Sequence, residues 1–169
     1  MNETWTWTYQ VTTFGNATFG SACRPGSVVR QAKGTVTRQN LVGTLLPTLC
    51  QSAVETVAYR VSGDSVYYWN GAEWTTYVEA PLTEGRKFYS GVQGYTWQRP
   101  PKVTVPAGTY RDCWTKKHDR SDSQETFCRG VGLVSAYQLD AFGNGWKAVL
   151  DRATGPAAPV QAVSKTPRP

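Results

Sequence analysis

Bulky and polar side chains alternate from the first residues of the chain. In "TWTWTYQVT", Trp5, Trp7, Tyr9 and Val11 fall on one side and Thr4, Thr6, Thr8 and Gln10 on the other, which is the period of a strand with one buried face. "ETVAYRV" repeats the pattern with Val57, Tyr59 and Val61, and "SGD" supplies turn chemistry ahead of "SVYYW". Asn70-Gly71 then predicts a two-residue hairpin turn, because both residues tolerate the positive φ that a type I′ turn requires. Val66 to Trp69 should therefore pair back onto Glu73 to Val78.

"APLTEG" breaks the pattern, and "RKFYSGVQGYTWQ" resumes it with glycines typical of a bulged or strongly curved strand. Val103 to Val105, Thr109 to Lys116, Glu125 to Cys128, Leu133 to Leu139 and Trp146 to Leu150 read as further short strands. Nearly every connection is of hairpin length, so the expected fold is all-β with at most one or two short helices. Its strongly curved antiparallel sheet would form a half-barrel or open barrel, not a βαβ array. The one place for a helix is "NLVGTLLPTLCQSAVE", where Leu41, Leu45, Leu46 and Leu49 cluster around Pro47. A proline inside a helix costs about 3 kcal/mol, which limits it to a turn or two. "GPAAPVQAVSKTPRP" has little to bury, so a single β domain over 1–152 and a flexible Pro/Ala-rich tail over 153–169 are expected.

Composition agrees with the pattern: 7 Trp, 9 Tyr and 5 Phe, with 16 Gly to punctuate them, in 169 residues, enough for one domain with its own core. The formal charge of +6 would attract nucleic acid, anionic lipid or an acidic wall polymer without choosing among them. No stretch has the ~20 successive apolar residues of a membrane helix. Met1 precedes "NETWTWTYQ" in place of a basic and then apolar leader, so a secreted protein is expected here in mature or re-engineered form. Asn2-Glu3-Thr4 and Asn16-Ala17-Thr18 fit the glycan acceptor pattern, which matters only in a glycosylating host.

The four cysteines refine the address. If Thr109 to Lys116 and Glu125 to Cys128 are neighbouring antiparallel strands, Cys113 faces Cys128 across the ladder and "HDRSDSQ" is the exposed turn between them. Such a crosslink contributes ~3 kcal/mol on the chain-entropy model. Cys23 and Cys50 then remain to staple the irregular segment between them. Zinc is the competing reading, but the spacing contains no C-x-x-C knuckle, which also removes the usual thiol redox motif. Two disulfides imply an extracytoplasmic, oxidising compartment such as the periplasm or cell envelope.

"APLTEGRKF", "VTVPAGTYRDC" and "FCRGVGLV" together resemble a group of bacterial cell-envelope proteins of unknown function, many of them lipoproteins. The matching residues are Pro81, Leu82 and Gly85; Val103 and Val105 to Tyr110, Asp112 and Cys113; and Gly130 to Val134. The resemblance spans roughly Tyr59 to Leu150. It implies kinship with curved half-barrels of lipoprotein carriers of the LolA type, whose concave face holds acyl chains, and it implies no catalytic residue. Cys128 stands where the group usually has a small residue, which supports the Cys113 to Cys128 bridge.

Candidate chemistry is sparse. The single histidine, His118, sits among charges in "KKHDRSD" and reads as a solvated loop residue, not a general base. Asp119, Asp122 and Glu125 could gather around calcium, but their loop lacks the central glycine and alternating oxygens of an EF-hand. Arg111, Lys116, Lys117, Arg120 and Arg129 crowd one hairpin end near Tyr110 and Trp114, a pattern that could stack and track a single nucleic-acid strand. Acidic residues interrupt that patch, and the reading favours a charged rim without nucleic acid. No cofactor, metal or catalytic residue is expected. The expected function is a non-catalytic envelope module, peripheral to a membrane, whose concave aromatic face binds an apolar, lipid-like ligand or an envelope protein partner. The candidates for that face are Trp5, Trp7, Tyr9, Tyr59, Trp69, Trp74, Tyr95 and Trp97. A purely structural assembly subunit with a filled core is the alternative, and a single-stranded nucleic-acid binder the third reading.

Overall fold

The computed structural model describes residues 5–15, 23–50 and 56–155. The two glycan acceptor asparagines and residues 156–169, where most of the tail is expected, lie outside the described residues. Within them strands are the only regular elements, with no helix. The larger sheet contains β1 (Thr6–Phe14), β2 (Gly26–Gln31), β8 (Lys87–Ser90), β9 (Gln93–Gln98), β12 (Cys113–His118), β13 (Gln124–Cys128), β14 (Gly132–Leu139) and β15 (Gly145–Thr154). Its eight strands run in the order β2-β1-β15-β14-β13-β12-β9-β8. The smaller sheet contains β3 (Thr35–Arg38), β4 (Leu41–Pro47), β5 (Thr56–Ser62), β6 (Ser65–Trp69) and β7 (Trp74–Val78), in chain order. A separate hairpin is formed by β10 (Val103–Val105) and β11 (Gly108–Tyr110).

Every pairing is antiparallel, and the eight-stranded sheet is open and curved: β2 and β8 are its two free edges. Register shifts at Thr8/Tyr9 and Thr126/Phe127 insert bulges that bend it. The chain leaves this sheet from edge strand β2 into edge strand β3 of the smaller sheet, and returns from its other edge, β7, into edge strand β8. Both crossings join edge to edge, so the five-stranded sheet lies across the opening of the half-barrel.

Alternation in β1 does what the sequence implies. Tyr9 and Val11 are buried, in a core with Val134, Ala136, Ala148 and Leu150 from the neighbouring strands. The polar tips of its aromatics are also used: Trp7 Nε1 donates to the Val131 carbonyl (2.7 Å) and the Tyr9 hydroxyl to that of Leu133 (2.8 Å). These bonds satisfy carbonyls at the β13–β14 corner, where Gly132 takes a φ of 87° that a side chain would resist. Cys113 and Cys128 oppose each other in the β12–β13 ladder, with Cα atoms 4.1 Å apart, and are bonded; Cys23 and Cys50 form the second bridge.

Four details differ from expectation. The leucine-rich stretch that invited a short helix is instead strand β4, paired on both sides by β3 and β5, with Pro47 at its end, where a missing donor costs least. Residues 51–55 of that stretch lie outside the described residues. The hairpin at Asn70-Gly71 forms, but Trp69 pairs with Trp74, so the loop is four residues long. The Asn70 side-chain oxygen accepts the amides of Ala72 and Glu73, at 2.9 Å each, replacing the tight turn with an Asx closure. The run from Thr109 to Lys116 is broken at Asp112, whose φ of 57° separates β11 from β12. At the far end β15 continues to Thr154.

Opening the β12–β13 staple should cost stability without changing topology. We expect Cys113→Ala combined with Cys128→Ala to lose about 3 kcal/mol in urea unfolding, with an unchanged far-ultraviolet circular dichroism spectrum in the absence of denaturant.

Candidate functional site

Strand alternation sends residues of β9, β12 and β13 to the concave side of the large sheet, and the smaller sheet sets its own inner face opposite them. Between the two lies a cleft of about 600 Å³. Tyr59, Tyr68 and Tyr77 come from the small sheet; Tyr95, Lys116, His118, Glu125 and Trp146 come from the large one. Tyr77 is the hub. Its ring meets Tyr59, Tyr68 and Phe127 at centroid distances of 5.2, 6.0 and 5.7 Å, and its hydroxyl donates to Glu125 Oε1 at 2.6 Å.

Lys116 stands opposite Glu125 in the β12–β13 register, and its ammonium lies 3.2 Å from Glu125 Oε2. Only 3% of the lysine side chain is exposed. The charge sits between two ring faces, 4.2 Å from the centre of Tyr77 and 4.3 Å from that of Tyr95, a cation–π arrangement strengthened by desolvation. Arg30, from β2, is also buried; it donates to the Pro47 carbonyl (2.7 Å) and lies over Tyr59. The two sheets are thus joined by charges held against tyrosine rings.

Burial decides how the tyrosines titrate. It pushes the phenol of Tyr9 up to about 12 against the pull of the Arg30 charge, and that of Tyr95 up to about 12 with help from the Glu125 carboxylate and Tyr68. Tyr77 is raised well above its ordinary value, first by burial and then by Glu125, and Tyr59 is raised by burial despite Arg30.

At the cleft mouth the ends of three hairpins meet. His118 lies edge-on to Tyr95; its Nε2 bonds the Gln93 side-chain oxygen, and its Nδ1 accepts the Arg120 amide and the Ser121 hydroxyl. The histidine is therefore half-buried and fully engaged, in contrast to the solvated loop residue expected. Ser121 Oγ in turn accepts the Ser123 amide, so these contacts fold the β12–β13 turn. The three carboxylates proposed for calcium are engaged separately: Asp119 with Thr96 and Lys87, Glu125 with Lys116 and Tyr77, while Asp122 is exposed. Lys116 is withdrawn from the supposed basic rim, and Arg129 pairs with Asp112 at 3.0 Å.

Of the eight aromatics expected on the concave face, Tyr59 and Tyr95 line the cleft. Trp5, Trp7 and Tyr9 belong to the core cluster beside the Cys113–Cys128 bridge, Trp5 stacked on Trp7. Trp97 is fully buried against Phe88. Trp69 and Trp74 pair edge to face in register with Tyr67 and Arg60 on the other side of the small sheet, where Arg60 lies over Tyr67 and Trp74. Lys116 and Glu125 were not among the candidates for this face. Consecutive lysines at 116 and 117 in a strand were the available signal, since alternation must turn one of them inward.

Together these features define an all-β domain of two facing antiparallel sheets with a ligand-sized cleft between them. No family model matches the chain, and neither curated proteins nor solved structures yield a match. Among the described residues no helix is long and apolar enough to cross a membrane, and the two disulfides account for all four cysteines, which fits an oxidising, extracytoplasmic setting.

Two outcomes follow from this junction. Lys116→Met leaves Glu125 without its cation and should destabilise the fold by about 3 kcal/mol in chemical denaturation, with a smaller loss when Glu125→Gln is added. Unfolded tyrosine ionises near 10, while Tyr9 and Tyr95 hold their protons to about 12. The unfolded state therefore sheds protons that the folded state keeps, so stability should be intact below pH ~10 and fall as pH rises from there toward about 12. Tyrosinate absorbance recorded alongside circular dichroism should show these phenols ionising together with unfolding.

Proposed function

We propose that this chain is a non-catalytic binding module of the cell envelope that holds its ligand in the cleft between the two sheets. The observation that carries this reading is the open cleft of about 600 Å³ between the sheets, walled by tyrosine faces from both. Ligand sites are usually preformed concavities of this size, with aromatic walls and a few placed polar groups. A structural subunit would fill that volume with side chains.

The lining also shapes the guest. Val57, Ala136 and Leu139 are the aliphatic residues in a wall otherwise made of tyrosine, tryptophan, glutamine, serine, histidine and one ion pair. A ligand with apolar faces and polar edges suits such a wall better than the lipid-like ligand expected from the aromatic strands alone. Lys116 and Glu125 neutralise each other, and His118 spends both ring nitrogens on its own surroundings, so these groups act as binding walls and not as proton carriers. The envelope address rests on the disulfides and on the "VPAGTYRDC" and "GVGLV" phrases.

Native mass spectrometry of protein isolated under mild conditions from an oxidising compartment should show a bound small molecule, displaced on Gln124→Trp substitution, which fills the cleft from an exposed position outside the sheet junction. Preparations without a ligand, from cells or after incubation with envelope extract, would argue instead for a structural role.

A further inference from the structure

We infer that the cleft takes a neutral oligosaccharide. The inference rests on the ligand-binding reading above and narrows it to one chemical class.

Charge comes first. Among the described residues, the cation and the anion that line the cleft, Lys116 and Glu125, lie 3.2 Å apart and cancel. A phosphate or carboxylate would need an uncommitted positive group there, and the buried ammonium is also shared between two rings. A neutral ligand meets no such demand.

Hydrogen-bond capacity comes next. The hydroxyls of Tyr68 and Tyr95 and the side-chain amide of Gln124 line the cleft with no hydrogen bond to the rest of the described chain. Gln138 accepts from Trp146 Nε1 through its oxygen, which leaves its amino group available. Ser90 adds a hydroxyl at a position only 6% exposed. Donors and acceptors are mixed at close range, as a ligand covered in hydroxyl groups requires, because each hydroxyl both gives and receives. An acyl chain would leave these groups unpaired at about 1–3 kcal/mol each.

Ring geometry then separates a sugar from a flat aromatic ligand. The cleft tyrosines stand tilted or edge-on to one another: 58° between Tyr59 and Tyr77, and 71° between Tyr68 and Tyr77. Neither of these contacting pairs is the parallel stack that a planar ring would extend. A puckered pyranose ring presents C–H groups on its faces and hydroxyls around its rim, so it can rest on one tyrosine face while its edge reaches the glutamines and serines. The cleft opens where the β8–β9, β12–β13 and β14–β15 turns meet, through which either a free oligosaccharide or the end of a longer glycan can enter.

The test is calorimetric titration of the full chain with neutral trisaccharides of β-1,4-linked N-acetylglucosamine, β-1,4-linked glucose and α-1,4-linked glucose. Co-sedimentation with the corresponding insoluble polymers runs beside it; uptake of soluble oligomers or of polymer alone both support the inference and tell the free sugar from the glycan end. We expect saturable binding of at least one of them. Gln124→Ala and Tyr95→Phe, which remove one uncommitted polar group each and keep the packing, should each weaken it about 5-fold, the worth of one net hydrogen bond. Binding unchanged in both variants, or no binding of any sugar, overturns the inference. If sugars fail while native spectra show another molecule displaced by Gln124→Trp, the cleft remains the site and only its ligand class is wrong. Failure of both removes the cleft reading as well.

Discussion

The junction of Lys116, Glu125 and Tyr77 holds the two sheets to each other. It is made by three residues from three strands, one of them in the opposite sheet, and it buries an ammonium that only a carboxylate and two ring faces accompany. Removing two charges from water is expensive, and a pair of well-packed apolar residues would often serve stability as well. What apolar residues would not supply is direction. The carboxylate must face the ammonium on one side and the Tyr77 hydroxyl on the other, so the small sheet has one position over the half-barrel that leaves no polar atom of the three unmet. Arg30 repeats the device on β2, where its guanidinium reaches the Pro47 carbonyl at the end of β4.

The disulfides act on a different part of the same problem. Cys113–Cys128 closes the β12–β13 ladder at the end away from the cleft mouth, beside the core built on Tyr9, Val134 and Leu150, while Cys23–Cys50 ties the segment entering β2 to the one leaving β4. Covalent bonds thus hold the large sheet at its core end and bind the two sheets near one crossing. The mouth, formed by hairpin turns, is held by hydrogen bonds such as His118 to Gln93 and Ser123 to Leu139.

Much of the fold was legible in the sequence because strand alternation and the cysteines are local signals. Trp5, Trp7, Tyr9 and Val11 share a face as their spacing requires, and Cys113 meets Cys128 because their flanking strands pair as neighbours. The leucine run around Pro47 misled because a short apolar stretch fits strand or helix equally well until its partners are known; β3 and β5 decided it. The cleft was less legible for a related reason. Spacing shows which residues share a face, but not what covers that face. Trp5, Trp7 and Tyr9 face the disulfide-bound core, Trp69 and Trp74 lie on the far side of the small sheet, and a register shift at Val66/Tyr67 helps to bring Tyr77 to Glu125 across 48 residues of chain. Only the edge-to-edge crossings, which are global, put Tyr59 opposite Tyr95.

The open volume is itself a thermodynamic argument. Were the cleft's 600 Å³ dry and apolar, at about 24 cal/mol per Å³ it would cost on the order of 14 kcal/mol, comparable to the whole stability of an ordinary domain. Walls of leucine and valine would collapse to recover that energy. Walls that carry tyrosine hydroxyls, glutamine amides and an ion pair need not, because water can enter and satisfy them. A polar lining therefore permits the volume, and the junction and the disulfides hold its walls apart. The same lining that makes solvent acceptable fixes what can replace it: a guest must return the hydrogen bonds that the departing water gave while covering the tyrosine faces that water leaves poorly solvated. The physical condition for keeping the cleft open and the chemical condition for filling it are thus met by the same side chains.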